Sequence, residues 1–427
     1  MSYICVANVK ERKMKGILKH IMLFSTALLS ASCGELLLDS DNGGVDMAVN
    51  RTVLVYMAAD NNLALYARKN IEDMKQGEVP SYFDEGSGDV LLVYADIDGE
   101  EPRLMRLSKD RFGVVTEETL RVYEEWNSCT DSVMSAVLSD AATLFPSQES
   151  GLVLWSHGTG WLPEGYYSNP VYSSPDGGAA APHHIEDPYA HLVKSFGSED
   201  GIEMDIKVLA EALPVHYSFI LMDACLMGGV EVAYELRDKC DYFIGSAAEV
   251  LANGFPYADV VGEFFRGETG LRNACRLYRE HYKDDGATIA MVDTRRLDAL
   301  AGACRDVFAD GRDAIPQLDM DSVQGYYRMN RHWFYDLDDF VRQLTEAGSD
   351  AARAGSARND LYEVFRDALD AAVVYKDNTE EFVLGGYPQF SINKFSGLST
   401  YIPNPENPIL DEYYRTLAWN KAVMMVE

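Results

Sequence analysis

Five short runs of residues almost free of charge constrain this chain more than any other feature. Residues 52–59 (TVLVYMAA), 90–97 (VLLVYADI), 151–156 (GLVLWS), 217–222 (YSFILM) and 241–246 (DYFIGS) are rich in β-branched and aromatic side chains. A strand with one face in water alternates polar and apolar residues, so these runs predict strands buried on both faces. Between them, residues 63–75, 132–144, 206–213 and 230–237 carry apolar positions at helical spacing. Alternating strands and helices imply right-handed crossovers and an open, mostly parallel α/β sheet covered by helices. Residues 103–107 and 113–116 read as a short β-ribbon, and 287–293 (ATIAMVD) as a last strand of the sheet or the first element of the C-terminal region.

After about residue 294 the texture changes to helices with long acidic faces, at 297–308, 338–344 and 359–373. Asp336 is placed to cap the second of these, with Leu337, Phe340, Val341 and Leu344 as its buried stripe. Short strands return at 397–402 (GLSTYI), closed by Pro403 and Pro405. The expected organisation is a leader over 1–32, a flexible tether over 33–50, an α/β domain over 51–293 and a smaller α+β region over 294–427.

The leader differs in charge from everything after it. Lys10, Arg12, Lys13, Lys15 and Lys19 face the single Glu11, and an apolar run over 21–29 comes next. That run is too short to span a bilayer as a mature helix and matches the apolar core of a secretory signal. Ser30-Ala31-Ser32 and then Cys33 complete a segment that resembles a bacterial lipoprotein signal, in which the cysteine is acylated and becomes the new N-terminus. An ordinary cleaved signal and an uncleaved anchor are the alternatives. The resemblance implies an exported protein held at a bacterial envelope membrane by lipid on Cys33.

Taking a leader of charge +4 from the formal −31 of the whole chain leaves −35. Phosphate neutralisation needs clustered Lys and Arg, so this balance excludes nucleic acid as a partner. Five cysteines remain beyond Cys33, at 129, 225, 240, 275 and 304. The number is odd and no CxxC occurs, so neither a disulfide framework nor a zinc knuckle is indicated.

Two strand ends carry the chemistry. One reads Leu154-Trp155-Ser156-His157-Gly158-Thr159-Gly160, a buried strand delivering a histidine into a glycine-rich turn. The other reads Leu221-Met222-Asp223-Ala224-Cys225-Leu226-Met227-Gly228-Gly229, a buried strand delivering a cysteine into a turn that opens a helix. In an open parallel sheet the ligand crevice lies beyond the carboxyl ends of the strands. If the two strands are neighbours, His157 and Cys225 face each other there. An imidazole or a helix N-terminus raises the thiolate fraction of a nearby cysteine. Thiolate attack on a carbonyl creates an oxyanion, and the N–H groups of Gly158 and Cys225 are its natural donors. Taken singly, a cysteine on an apolar strand is ordinarily a core hydrophobe, and a histidine at a strand end a satisfied loop residue. Their pairing, with glycines at both turns and an aspartate two residues before the cysteine, points to function.

These motifs resemble the clostripain-like cysteine peptidases, relatives of caspases, legumains and gingipains. VLVYMAADNNL at the start of the domain, SAAEVLANGFPY after the cysteine and GLSTYIP near the C-terminus extend the similarity over roughly 52–405. The resemblance implies a caspase-like fold, with His157 transferring protons and Cys225 as nucleophile. It also implies that Asp223 lines the primary specificity pocket and selects Arg or Lys before the scissile bond, as a pocket carboxylate would. Glu249 lies in the stretch where relatives carry further pocket acids, while neighbouring Asn253 offers no charge. Relatives often activate by cutting themselves at a basic residue between the histidine and the cysteine. Lys194 is the only basic side chain of the long loop 158–201 and is the expected cut site.

Other chemistry is weakly signalled. His183, His184 and His191 lie near Glu186, Asp187 and Asp200, yet no HExxH or H-x-x-x-H spacing occurs, so no metal site is assigned. No cofactor is expected. Some relatives respond to calcium, which acidic loops leave open here, although EF-hand spacing is absent. No G-x-S-x-G or complete nucleotide-binding glycine pattern is present. Arg328, Arg331, His332 and Trp333 read as a solvated basic edge. The expected partners are polypeptides with basic residues. The rivals are a lipid-anchored binding protein that keeps the fold without turnover and a cysteine peptidase of different preference.

Overall fold

The structure is a computed structural model that describes residues 50–81, 88–163, 196–199, 202–327, 333–347, 357–384, 386–404 and 408–427. The charge-free runs form strands β1 (Arg51–Ala59), β2 (Val90–Ile97), β5 (Glu149–Trp155), β8 (Tyr217–Asp223) and β9 (Cys240–Gly245). The remaining strands of the same sheet are β3 (Arg103–Lys109), β4 (Val115–Val122), β10 (Thr288–Asp293) and β12 (Val373–Asn378), in the order β12-β10-β9-β8-β5-β1-β2-β3-β4. The five charge-free strands pair in parallel at the centre, and antiparallel strands continue the sheet on both sides.

Burial on both faces is what removes charge from the centre. Along β1, Leu54, Tyr56 and Ala58 enter one core while Val53, Val55, Met57 and Ala59 enter the other. The first core is covered by α2 (Asp131–Leu144), α3 (Ile206–Ala212), α4 (Val230–Glu235) and α6 (Leu297–Gly311), the second by α1 (Ala64–Gln76) and α5 (Gly267–His281). The α/β architecture read from the sequence is therefore the one observed.

The C-terminal region contributes α7 (Leu337–Ala347), α8 (Ala357–Ala372), a hairpin of β13 (Glu381–Leu384) and β14 (Tyr387–Ser391), and a small pair of β11 (Tyr335–Asp336) with β15 (Ser399–Thr400). Asp336 does cap α7: its Oδ1 accepts from Asp339 N at 3.0 Å. The strand expected over 397–402 shrinks to Ser399–Thr400, since its neighbours turn to other partners. Residues Met47–Glu427 form one compact unit, and β12 places part of the C-terminal region in the main sheet.

A buried acid ties that region to the centre. Glu231, in the first turn of α4, is fully buried, and its Oε1 accepts from Thr400 Oγ1, Tyr401 N and Tyr414 Oη at 2.8–2.9 Å. Replacing Glu231 with alanine would strand two buried donors, Tyr401 N and Tyr414 Oη, and leave Thr400 Oγ1 only a 3.3 Å bond to Tyr401 O. We expect a loss of about 3 kcal/mol, read as a lower midpoint in chemical denaturation, with Glu231→Gln losing clearly less because it keeps an acceptor. Equal losses in the two variants would refute this account.

Candidate active site

The sheet brings the two sequence motifs together. Trp155 on β5 pairs with Asp223 on β8 in parallel register, so His157 and Cys225 each lie two residues beyond a matched pair. Adjacent strands are about 4.8 Å apart, which places both residues at one level of the carboxyl edge. Ser156 N donates to Asp223 O at 3.4 Å, closing the gap between the two turns. Gly158 is where the approach is tightest: a Cβ there would sit 2.5 Å from Cys225 O and 3.0 Å from Ala224 Cβ and Met227 Cγ. Gly158 is buried, and no acceptor meets its N–H among the described residues. A buried N–H without a partner calls for an explanation.

The cysteine is held in an unusual turn. Leu226, just after it, has φ +61°, a left-handed conformation that side chains other than glycine rarely adopt. Tertiary bonds keep it there: Leu226 N donates to Ala248 O at 2.9 Å, Gly228 N to Ser246 O at 2.7 Å, and Ser399 N to Gly228 O at 3.0 Å. Cys225 Sγ donates to Val250 O and accepts from Val250 N, both at 3.3 Å. The helix expected over 230–237 is observed at Val230–Glu235, five residues beyond the cysteine. A dipole felt only within the first turn does not reach Cys225, so of the two alternatives, an imidazole or a helix N-terminus, the second does not apply to this thiol.

None of the five cysteines of the described residues is in a disulfide, and four of them are buried. Desolvation pushes Cys275 up to about 12 and raises Cys240 and Cys304 strongly. Buried thiols of this kind are poor nucleophiles. Cys225 is the partly exposed one.

Asp223, at the end of β8, is buried, only 3% exposed. Its Oδ2 accepts from Phe255 N at 3.1 Å and Tyr257 Oη at 2.8 Å, while Oδ1 is buried with no partner among the described residues. Burial lifts its pKa to about 6, against the opposing pull of these two bonds. The wall over it is built from Gly254, at φ +65°, where a Cβ would lie 2.6 Å from Asp223 Oδ2. Asn70 braces that wall, accepting from Trp155 Nε1 and donating to Asn253 O, both at 2.9 Å. Glu249 is partly buried, next to the Val250 peptide that grips the thiol.

Two contributors escaped the sequence reading. His157 Nε2 lies 2.7 Å from Asn62 Oδ1, and Asn62 belongs to the turn after β1. The second is strand β6 (Phe196–Glu199), at the end of the stretch read as irregular. It pairs with β7 (Ile202–Met204), bridges Gly158 through Phe196, donates from Gly197 N to His157 O at 3.1 Å, and offers Glu199 Oε2 to Ser128 N and Oγ at 2.6 and 2.9 Å. The only sequence signal for Asn62 was its place in the AADNNL phrase; β6 gave none. Cys33, Lys194, the three loop histidines, Arg328, Arg331 and His332 lie outside the described residues. Among the described residues no group of three or more His, Cys, Asp or Glu side chains could hold a metal ion, and no helix is long and apolar enough to cross a membrane.

Comparison with known families decides what this geometry belongs to. Residues 55–176 and 189–424 match the clostripain family of C11 peptidases. The chain belongs to the clostripain family, and it is a cysteine peptidase. Among solved structures it resembles an inactive zymogen C11 protease from Parabacteroides distasonis, with 32% identity and a TM-score of 0.71 over 88% of this chain and 98% of that one. A secreted C11 cysteine protease from Bacteroides thetaiotaomicron, solved with an irreversible peptide inhibitor, matches at 30% identity and a TM-score of 0.71, covering 88% of this chain and 99% of that one. No curated protein sequence matches the chain. The caspase-like sheet expected of a clostripain relative is thus shared with solved members, and nothing in these likenesses supports a non-catalytic binding module.

Proposed function

We propose that this clostripain-family peptidase is an exported endopeptidase that cuts after Arg or Lys, with Cys225 as nucleophile and His157 as proton carrier. The observation that supports the reading is the matched register of β5 and β8, in which His157 and Cys225 each follow a paired residue by two positions, together with a Gly158 N–H that meets no acceptor among the described residues. The thiol proton passes to the imidazole as Sγ leaves Val250 O and attacks the scissile carbonyl carbon. The resulting oxyanion accepts from Gly158 N–H and Cys225 N–H. Collapse breaks the C–N bond, the imidazolium gives its proton to the departing amine, and a thioester remains on Cys225. Water, deprotonated by the imidazole, hydrolyses that ester and restores the thiol. Every group used is a protein group, so the reading requires no cofactor; calcium would act elsewhere, on the acidic loops.

Asp223 supports the preference for basic residues, because a buried carboxylate with one unpartnered oxygen is suited to a guanidinium or ammonium. Glu249 is assigned a lesser part at the rim. A carboxyl lifted to about 6 loses its charge as pH falls through that value. Cleavage after Arg or Lys is therefore expected to drop relative to cleavage after uncharged residues between about pH 7 and 5. Ratios of kcat/KM for peptides with Arg, Lys, Asp, Asn and Leu before the scissile bond, measured across that range, check this. Strong cleavage after an uncharged residue at neutral pH would sink the pocket assignment.

The cationic, apolar leader ending at Cys33 supports export and a lipid anchor, and the secreted relative from Bacteroides thetaiotaomicron is in keeping with export. Self-cleavage after Lys194 is assigned on the sequence of the loop alone.

A further inference from the structure

The proposed proton carrier is held by a side chain that belongs to neither motif. His157 Nε2 and Asn62 Oδ1 are 2.7 Å apart although 95 residues separate them. We infer that Asn62 is a positioning residue, which fixes the ring nitrogen through which His157 exchanges a proton with Cys225. The inference rests on the Cys225–His157 pairing proposed above and adds a third member to it.

A neutral imidazole carries its proton on one nitrogen, and an amide oxygen only accepts. Facing Asn62 Oδ1, Nε2 is the protonated nitrogen, and Nδ1 keeps the lone pair that takes the thiol proton. The bond to Asn62 holds the side chain, and the bond from Gly197 N to the His157 carbonyl holds the backbone separately.

The turn into α1 is closed by the neighbouring Asn61, whose Oδ1 accepts from Leu63 N at 2.8 Å and whose Nδ2 donates to Ala58 O at 3.2 Å. Asn62 is thereby left to face the histidine. Ala58 O also accepts from Ser156 Oγ at 2.6 Å, so the ends of β1 and β5 are tied together just before the two partners. The distance between Asn62 and His157 is in this way set by the sheet. An amide, unlike a carboxylate, orients the ring without adding charge.

The test compares full-length wild type with N62A, N62D and H157A. Readouts are kcat and KM on one peptide, the pH dependence of kcat/KM and of Cys225 alkylation, and the thermal midpoint. N62A is expected to lose about 10-fold in kcat with little change in KM and to melt as wild type does. N62D keeps the acceptor but places a negative charge beside Nε2, which favours the imidazolium. The limb of the pH profile governed by His157 then moves about 1 pH unit higher. The inference is overturned if N62A and N62D both follow the wild-type profile and kcat. It is equally overturned if N62A lowers the midpoint while the profile of the folded protein stays put. H157A separates the dyad from its support: an active H157A refutes the dyad itself, whereas a dead H157A with unaltered Asn62 variants refutes only the role given to Asn62.

Discussion

Cys225→Ala is expected to lower kcat/KM on peptide substrates by on the order of 10⁵-fold with the fold intact. No other described thiol is placed to substitute, because the remaining four are buried and at least three have their thiolates strongly disfavoured. The side chain is small and partly exposed, and it hydrogen-bonds to the two polar atoms of the Val250 peptide. Stability should therefore change by less than about 1 kcal/mol. A peptide electrophile should label the wild type at Cys225 alone and leave the variant unlabelled. A folded Cys225→Ala protein that still turns over substrate would end the assignment.

Gly158→Ala is the second large effect, and it is steric. The added methyl would meet Cys225 O at 2.5 Å and Ala224 and Met227 at 3.0 Å, inside the turn that holds the nucleophile. Backbone atoms on both sides must separate, and the Gly158 N–H moves away from the forming oxyanion. We expect kcat to fall about 10²- to 10³-fold, with a smaller change in KM. Gly302→Ala provides the contrast, because nothing lies within 4 Å of a Cβ in that helix. There alanine should be neutral or stabilising by up to about 1 kcal/mol. A Gly158→Ala enzyme with wild-type kcat would exclude this N–H from catalysis.

The central strands were legible because burial on both faces removes charge, a signal visible in one dimension. The edges were not. β4 (VTEETLRV) is exposed along most of its length, so its charges hid all but its first residues, and β12 (VVYKDN) carried no strand signal, only Val373 falling in a reading, as the last residue of the helix expected over 359–373. β6 sits in a glycine- and proline-rich stretch and gains its order from Ser128 and the His157 backbone, contacts across the fold that composition does not encode. His157 and Cys225 stood out since each ends an apolar run and precedes glycines. Asn62 did not, because its role depends on a neighbouring strand placing it 2.7 Å from an imidazole. The burial of Asp223 was likewise invisible: its wall is built by residues 253–257 and Asn70, brought together only by folding.

The bond from Ser399 N to Gly228 O and the three donors on Glu231 make the turn after Cys225 depend on residues near the C-terminal end of the sequence. A ribosome that has finished both His157 and Cys225 has not yet made Ser399, Thr400, Tyr401 or Tyr414. Until those residues emerge, the left-handed turn at Leu226 lacks part of the frame that holds it, and Glu231 lacks its partners. A chain cut short before Ser399 thus holds His157 and Cys225 but not these contacts around the turn from Cys225 to Gly228.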